Sequence, residues 1–304
     1  MSSRARVILN PVSGADAALT YAEAISSGLR GRYASVEIVL TNGPGDAEEA
    51  ARQAVADRCN LIVAGGGDGT LNGIINGAAD RDGLSRTTLG VVPLGTGNDF
   101  ATALGIPADV DGALAVLLAG HARTVDLGSV NGRLFANISG GGYIAEVSES
   151  VTPQMKSFAG KLAYIVGGAH ALFEFEPVRA TVVAEPSHTR FGTGLYAFAV
   201  CNSRLIGGGK LIAPRALIDD GLLDVCVIEE MPALEFVALL RRVAAGEHVD
   251  DPRVRYLQAS TLTITLDRAI KVNTDGEVLE ASSCEYRVLP RVATFIAGES
   301  PFAG

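Results

Sequence analysis

The stretch Leu61-Ile62-Val63-Ala64-Gly65-Gly66-Gly67-Asp68-Gly69-Thr70 passes from a short apolar run, through three consecutive glycines, into a run with helical periodicity. A buried strand, a glycine turn and a helix in that order are one half of a strand–helix–strand unit. Glycines there let backbone amides close on a ligand with no Cβ in the way, and the helix N-terminus adds positive potential. Thr70 can add a hydroxyl donor. The pattern predicts a phosphate cradle over Gly66, Gly67, Asp68, Gly69 and Thr70. It is not the dinucleotide fingerprint, which needs glycine where Thr70 or Asn72 stands, and the chain holds no Gly-Lys-Ser/Thr of a Walker loop. Asp68 would repel phosphates unless a cation lay between them. Without a ligand, the same residues would make a tight turn with an aspartate N-cap.

Outward from this stretch, strands and helices alternate. Strands are expected at 6–10, 36–41, 61–64 and 88–94, and helices at 15–30, 46–57, 70–79, 98–104 and 109–119. That alternation predicts an α/β domain over residues 1–125 with a parallel sheet, its ligands gathered at the carboxyl ends of the strands. Each strand end carries turn residues: Asn10-Pro11-Val12-Ser13-Gly14, Thr41-Asn42-Gly43, the Gly65–Thr70 turn, and Pro93-Leu94-Gly95-Thr96-Gly97-Asn98-Asp99. Adjacent strand ends can converge on one ligand. Asp99 reads either as a second carboxylate for a metal network or as the N-cap of its helix.

After Val125 the texture changes. Short runs rich in Val, Ile, Thr and aromatics at 133–139, 178–184, 195–201, 222–229, 261–266, 270–273 and 285–296 alternate with turns such as Asn131-Gly132, Asp220-Gly221 and Asp275-Gly276. Two helical patterns, 160–173 and 232–246, interrupt them. These predict a mainly antiparallel, β-sandwich-like domain over 126–290, with 291–304 packing back on the first domain and a cleft between the two. Ile206-Gly207-Gly208-Gly209-Lys210 reads as a flexible turn near that cleft.

Of 304 residues, 48% are hydrophobic, enough for large cores and too many for general disorder, and the net charge of −9 argues against a nucleic-acid partner. The four cysteines and four histidines are scattered without a Cys-x-x-Cys pair, which leaves a zinc site unsupported. The start MSSRARVILN leaves no room for a signal peptide, and no apolar stretch is long enough to span a bilayer. A cytoplasmic protein is expected.

NPVSG at 10–14, GGGDGTLN at 65–72, PLGTGNDFA at 93–101, GKLAY at 160–164, APRALIDDGLLDV at 213–225 and NTDGE at 273–277 together resemble the diacylglycerol kinase catalytic domain of bacterial lipid kinases and sphingosine kinases. This family is related to NAD kinases and phosphofructokinases. The resemblance implies ATP- and Mg²⁺-dependent phosphorylation of a lipid hydroxyl, with diacylglycerol or a related lipid as acceptor. ATP contacts would fall on Asn10, Ser13, Gly14, Thr41, Gly66, Gly67, Asp68, Gly69, Thr70, Leu71, Asn72 and Thr96. Glu277 would be the general base, and Asp68 would act through water on the nucleotide's Mg²⁺. A further Mg²⁺ would be held by Asp220 and the carbonyls of Leu217 and Leu222. The lipid would be met by peripheral contact at the inner membrane face, with Phe173 to Val178 and Arg241-Arg242 of helix 232–246 as candidate surfaces. A homodimer is compatible with the sequence. Gly73, Thr102 and Val12 each stand where relatives often carry a charge. The alternatives are an NAD kinase-like enzyme, or a nucleotide- or lipid-binding regulator without catalysis.

Overall fold

The computed structural model describes residues 3–11, 15–145 and 176–302. The expected helix 160–173, the GKLAY segment, Ser13 and Gly14 lie outside the described residues. The first lobe runs β1 (Arg4–Leu9), α1 (Ala15–Arg30), β2 (Ser35–Leu40), α2 (Asp46–Ala56), β3 (Leu61–Gly66), α3 (Asp68–Ala79), β4 (Thr88–Pro93), α4 (Asp99–Ala103) and α5 (Val110–Ala119). β1 pairs in parallel with β2 and β3, and β3 with β4, in the order β2-β1-β3-β4. The central strands are buried almost throughout, as expected where helices cover both faces, whereas β2 at the edge is half exposed. The crossover from β1 runs towards β2, and the later ones run the other way. Right-handed crossovers therefore put α1 on one face and α2 and α3 on the other, consistent with the contacts α1 makes with α5 and α2 with α3. The direction reverses between β1 and β3, where an open sheet leaves a crevice for ligands.

The second lobe is antiparallel. It contains β5 (Ala122–Val130), β6 (Arg133–Phe135), β7 (Ile138–Gly142), β8 (Val178–Glu185), β9 (Thr189–Cys201), β10 (Leu205–Ile206), β11 (Lys210–Leu211), β12 (Leu223–Glu229), α6 (Ala233–Ala245), β13 (Val254–Ala259), β14 (Thr261–Thr274) and β15 (Glu277–Ile296). The two runs read as separate strands at 261–266 and 270–273 are one strand, β14, whose register against β15 shifts between Thr265 and Ile270. β13, unforeseen in the sequence, adds an edge to β12. Val182, Val200, Val225 and Ile264 meet in one apolar core, while the other faces of β9 and β12 pack with Phe236 and Leu239 of α6 in a second. The four cysteines are buried and free of disulfides.

The lobes share strands. β15 is 20 residues long. Its first half pairs with β14; its last residues pair in parallel with β4, at Thr294–Thr88 and Phe295–Leu89. The C-terminal strand thus returns to the first lobe, and Phe295 packs edge-on against Phe100 of α4 with centroids 5.4 Å apart. Such a ring pair contributes about 0.5–1.5 kcal/mol beyond its area.

Candidate active site

Backbone hydrogen bonds extend the parallel ladder past the strand ends: Asn10 N to Gly65 O at 2.8 Å, Thr41 N to Leu9 O at 2.9 Å and Leu94 N to Gly66 O at 3.0 Å. They set the turns after all four strands side by side at the carboxyl edge of the sheet. Gly67, in extended conformation, is the N-cap of α3, which therefore starts at Asp68, two residues earlier than the periodicity suggests. Thr70 is buried, and its Oγ1 accepts from Asn10 Nδ2 at 3.4 Å. The turn after β4 leans directly on the turn after β3: a Cβ on Gly95 would lie 2.4 Å from the Cα of Gly67. Asn98, at φ 52°, closes its own turn by accepting from Gly95 N at 3.1 Å and donating to Gly95 O at 2.7 Å. Gly66, Gly67, Gly69, Thr70, Asn10, Thr41 and Thr96 thus stand at neighbouring strand ends. A cleft of about 510 Å³ opens beside Thr96, walled by Tyr21 of α1, Thr102 of α4 and Ile106.

Leu71 and Asn72 point elsewhere. Leu71 belongs to the apolar core, and its N–H is spent on Gly67 O. Asn72 is fully buried: its Nδ2 donates to Leu134 O at 2.8 Å and its Oδ1 accepts from Arg133 at 3.2 Å, joining α3 to β6. A motif places a residue on a helix without saying which face it occupies.

Asp68 spans the two glycine turns, its carboxylate accepting from the amides of Asn98, Asp99 and Phe100. Burial, reinforced by the charge of Asp99, still pushes its carboxyl above the usual range. Asp99 is neither the N-cap, which is Asn98, nor solvent-facing; it is buried and accepts from Gly208 N and Gly209 N of the β10–β11 turn.

The β14–β15 turn has Asp275 at φ 48° and Gly276 at φ 94°, the paired left-handed residues of a two-residue hairpin. Its carboxylate points inward and takes three amides: Ala136 at 2.7 Å, Asn137 at 3.2 Å and Ile138 at 2.8 Å. Burial outweighs those donors and pushes the Asp275 carboxyl up to about 6, with the nearby charge of Asp68 adding to the rise. The turn lies against the cradle, since a Cβ on Gly276 would sit 3.6 Å from the Cα of Gly69. Glu277 follows, exposed, as the first residue of β15. The inward grip of Asp275 left no mark in the sequence beyond the Asp-Gly turn signal.

Asp220 occupies a loop held against β5 and the bulge of β15. Asp126 is fully buried and accepts from Gly221 N at 2.6 Å and Arg291 N at 2.7 Å. Burial raises the Asp220 carboxyl, and the charges of Asp126 and Asp219 raise it further, against the amide of Leu222. A carboxylate together with backbone carbonyls is a donor set that suits a hard cation. Among the described residues no three His, Cys, Asp or Glu side chains gather for a metal, so a cation at Asp220 would depend on the carbonyls of Leu217 and Leu222.

The family model "Diacylglycerol kinase catalytic domain" matches residues 4–130, and "YegS C-terminal NAD kinase beta sandwich-like domain" matches residues 137–297. The chain is 34% identical over 275 residues to a diacylglycerol kinase of Bacillus subtilis (strain 168), covering 90% of this chain and 89% of that protein. It is 33% identical over 279 residues to one of Staphylococcus aureus (strain JH9), covering 91% and 87%. Two crystal structures from Bacillus anthracis str. Sterne share the fold: one with a TM-score of 0.79 at 24% identity, covering 98% of this chain and 96% of that one, the other with 0.76 at 22%, covering 98% and 97%. On these matches, the chain belongs to the diacylglycerol kinase family of lipid kinases.

Proposed function

We propose that the chain transfers the γ-phosphoryl group of ATP to the hydroxyl of diacylglycerol or a closely related lipid alcohol in the crevice between its lobes. The observation that carries this reading is the approach of Gly276 to Gly69, which brings the Asp275-Gly276-Glu277 turn to the edge of the glycine corner. Gly66, Gly67, Gly69 and Thr70, with Asn10, Thr41 and Thr96, would hold the phosphates, the glycines by close backbone approach. Glu277 would accept the lipid hydroxyl's proton as that oxygen bonds to the γ-phosphorus and ADP departs with the bridging electrons. The nucleotide's Mg²⁺, when bound, would supply neutralising charge to the phosphates, with Asp68 reaching it through water, and a further Mg²⁺ would be held by Asp220 with the carbonyls of Leu217 and Leu222. The two lobes divide the work, with residues 1–125 and 291–304 on the nucleotide side and 126–290 on the lipid side.

Peripheral contact with a lipid surface completes the reading. Among the described residues no helix is long and apolar enough to cross a membrane. On α6, Leu234 is 77% exposed and Val237 39%, and Arg241 is exposed a turn further on. Arg242 is engaged with Asp251 at 2.8 Å.

The deciding experiment is label transfer from ATP to lipids in detergent micelles, comparing the wild type with Glu277→Gln. The variant should bind ATP normally and turn over on the order of 10²–10⁴-fold more slowly. Wild-type turnover in the variant removes Glu277 from the mechanism, and label on NAD in place of lipid would support the NAD kinase-like alternative.

A further inference from the structure

Asp99 is the first residue of α4 and only 4% exposed. Gly208 N donates to either of its carboxylate oxygens at 3.1 Å, and Gly209 N donates to Oδ1 at 2.8 Å. Both amides belong to the β10–β11 turn of the second lobe, where Gly207, Gly208 and Gly209 stand at φ 59°, 81° and 101°. This turn presents its neighbouring Gly208 and Gly209 N–H groups to one carboxylate. Lys210 Nζ closes the turn on Gly207 O at 2.8 Å. The other end of the contact is equally fixed. Asp68 holds the amides of residues 98–100, Phe100 packs on Phe295, and α4 lies against β10.

A residue needed there only for packing would be apolar, because burying a carboxylate is costly unless its oxygens find donors. Here Gly208 N and Gly209 N, both of the other lobe, are donors to it. Across the crevice, the Asp275-Gly276 turn touches Gly69, so the acceptor's approach is bounded on both sides by contacts between lobes.

We infer that Asp99 is a positioning residue whose carboxylate latches the Gly207–Gly209 hairpin onto the glycine corner and so fixes the separation of the lobes around the acceptor hydroxyl. The latch stands on its own geometry; only its kinetic consequence rests on the kinase reading. Without it the phosphates still meet a cradle built from the first lobe alone, while the acceptor loses its fixed distance from them.

The test combines amide hydrogen exchange with steady-state kinetics on the full chain, for the wild type, Asp99→Asn and Asp99→Ala. Asparagine keeps one acceptor oxygen and turns an NH₂ towards the remaining donor; alanine removes both acceptors. The amides of Gly208 and Gly209 should be protected in the wild type and exchange on the order of ten- to a hundredfold faster in the alanine variant, with asparagine between. KM for ATP should stay within about twofold while kcat for lipid falls on the order of tenfold. Unprotected glycine amides in the wild type, or protection unchanged in Asp99→Asn, overturn the latch even if the alanine variant does not fold. A rise in KM for ATP at constant kcat overturns it too, by moving Asp99 into nucleotide binding. A wild type that phosphorylates no lipid defeats the kinase reading and leaves the exchange result standing.

Discussion

A carboxylate in a hairpin turn ordinarily faces water, where both its oxygens are solvated. Asp275 instead points inward and takes the amides of Ala136, Asn137 and Ile138. Its carboxyl is pushed from an ordinary value of 3.8 to about 6 by burial, so between those values the folded chain holds a proton that the unfolded chain has released. Stability from this group is therefore greatest in acid, falls as pH rises through that window and levels off above it. Asp275→Asn removes the titration. Denaturant unfolding should show the variant gaining on the order of 2–3 kcal/mol relative to wild type between about pH 4 and pH 7. A parallel pH dependence of the two proteins would mean that Asp275 titrates alike folded and unfolded. The Asp-Gly dipeptide announces this turn in the sequence. The direction of its carboxylate is not announced, because that depends on donors more than a hundred residues away. Asp99 teaches the same lesson: it is not the helix cap read from its neighbours, which is Asn98, and its oxygens accept from the β10–β11 turn.

At the level of elements, the site depends on two glycine turns in backbone-to-backbone contact. Consecutive parallel strands bring their ends side by side, which the alternation of strand and helix makes readable. That the turns would touch is not readable, since contact depends on the register of β3 against β4, Gly66 facing Pro93. Gly95→Ala tests the contact. A methyl 2.4 Å from the Cα of Gly67 meets backbone, which has no rotamer to yield. The variant should lose about 1–3 kcal/mol of stability through overpacking and also lose much of the thermal stabilisation that ATP gives the wild type. Gly67→Ala, whose methyl would stop 3.3 Å from Gly95, should be milder. Equal effects, or none, would show that the turns separate freely. The merging of 261–266 with 270–273 into β14 has a related cause. The polar Asp267-Arg268 pair between them looks like a break, but the strand carries it across a register shift.

For the whole molecule, the question is what keeps two lobes in a working relation. The sequence suggests two compositional halves, with a change of texture near residue 125: the strand pairs formed before it are parallel, and those formed after it are antiparallel, while β15 joins β4 in parallel across it. What composition cannot show is that one 20-residue strand belongs to both halves. β15 bends where its register against β5 shifts between Leu289 and Ala293, and Arg291 there adopts φ 50°. Asp126 holds this bend, taking Arg291 N with one oxygen and Gly221 N with the other while its own N–H donates to Ile218 O. One fully buried side chain therefore ties the course of the shared strand to the loop carrying Asp220. Asp126→Ala would leave two amides without their acceptors at a fully buried position. Each unmet donor costs about 1–3 kcal/mol, so the variant should unfold about 2–6 kcal/mol more easily. Its lipid phosphorylation should need more Mg²⁺ for half-maximal rate, because the Asp220 loop loses its anchor. Asp126→Asn, with one acceptor left, should fall between. Unfolding at the wild-type midpoint by Asp126→Ala would show that β15 keeps its bend unaided, and an unchanged Mg²⁺ requirement would separate the Asp220 loop from the reaction.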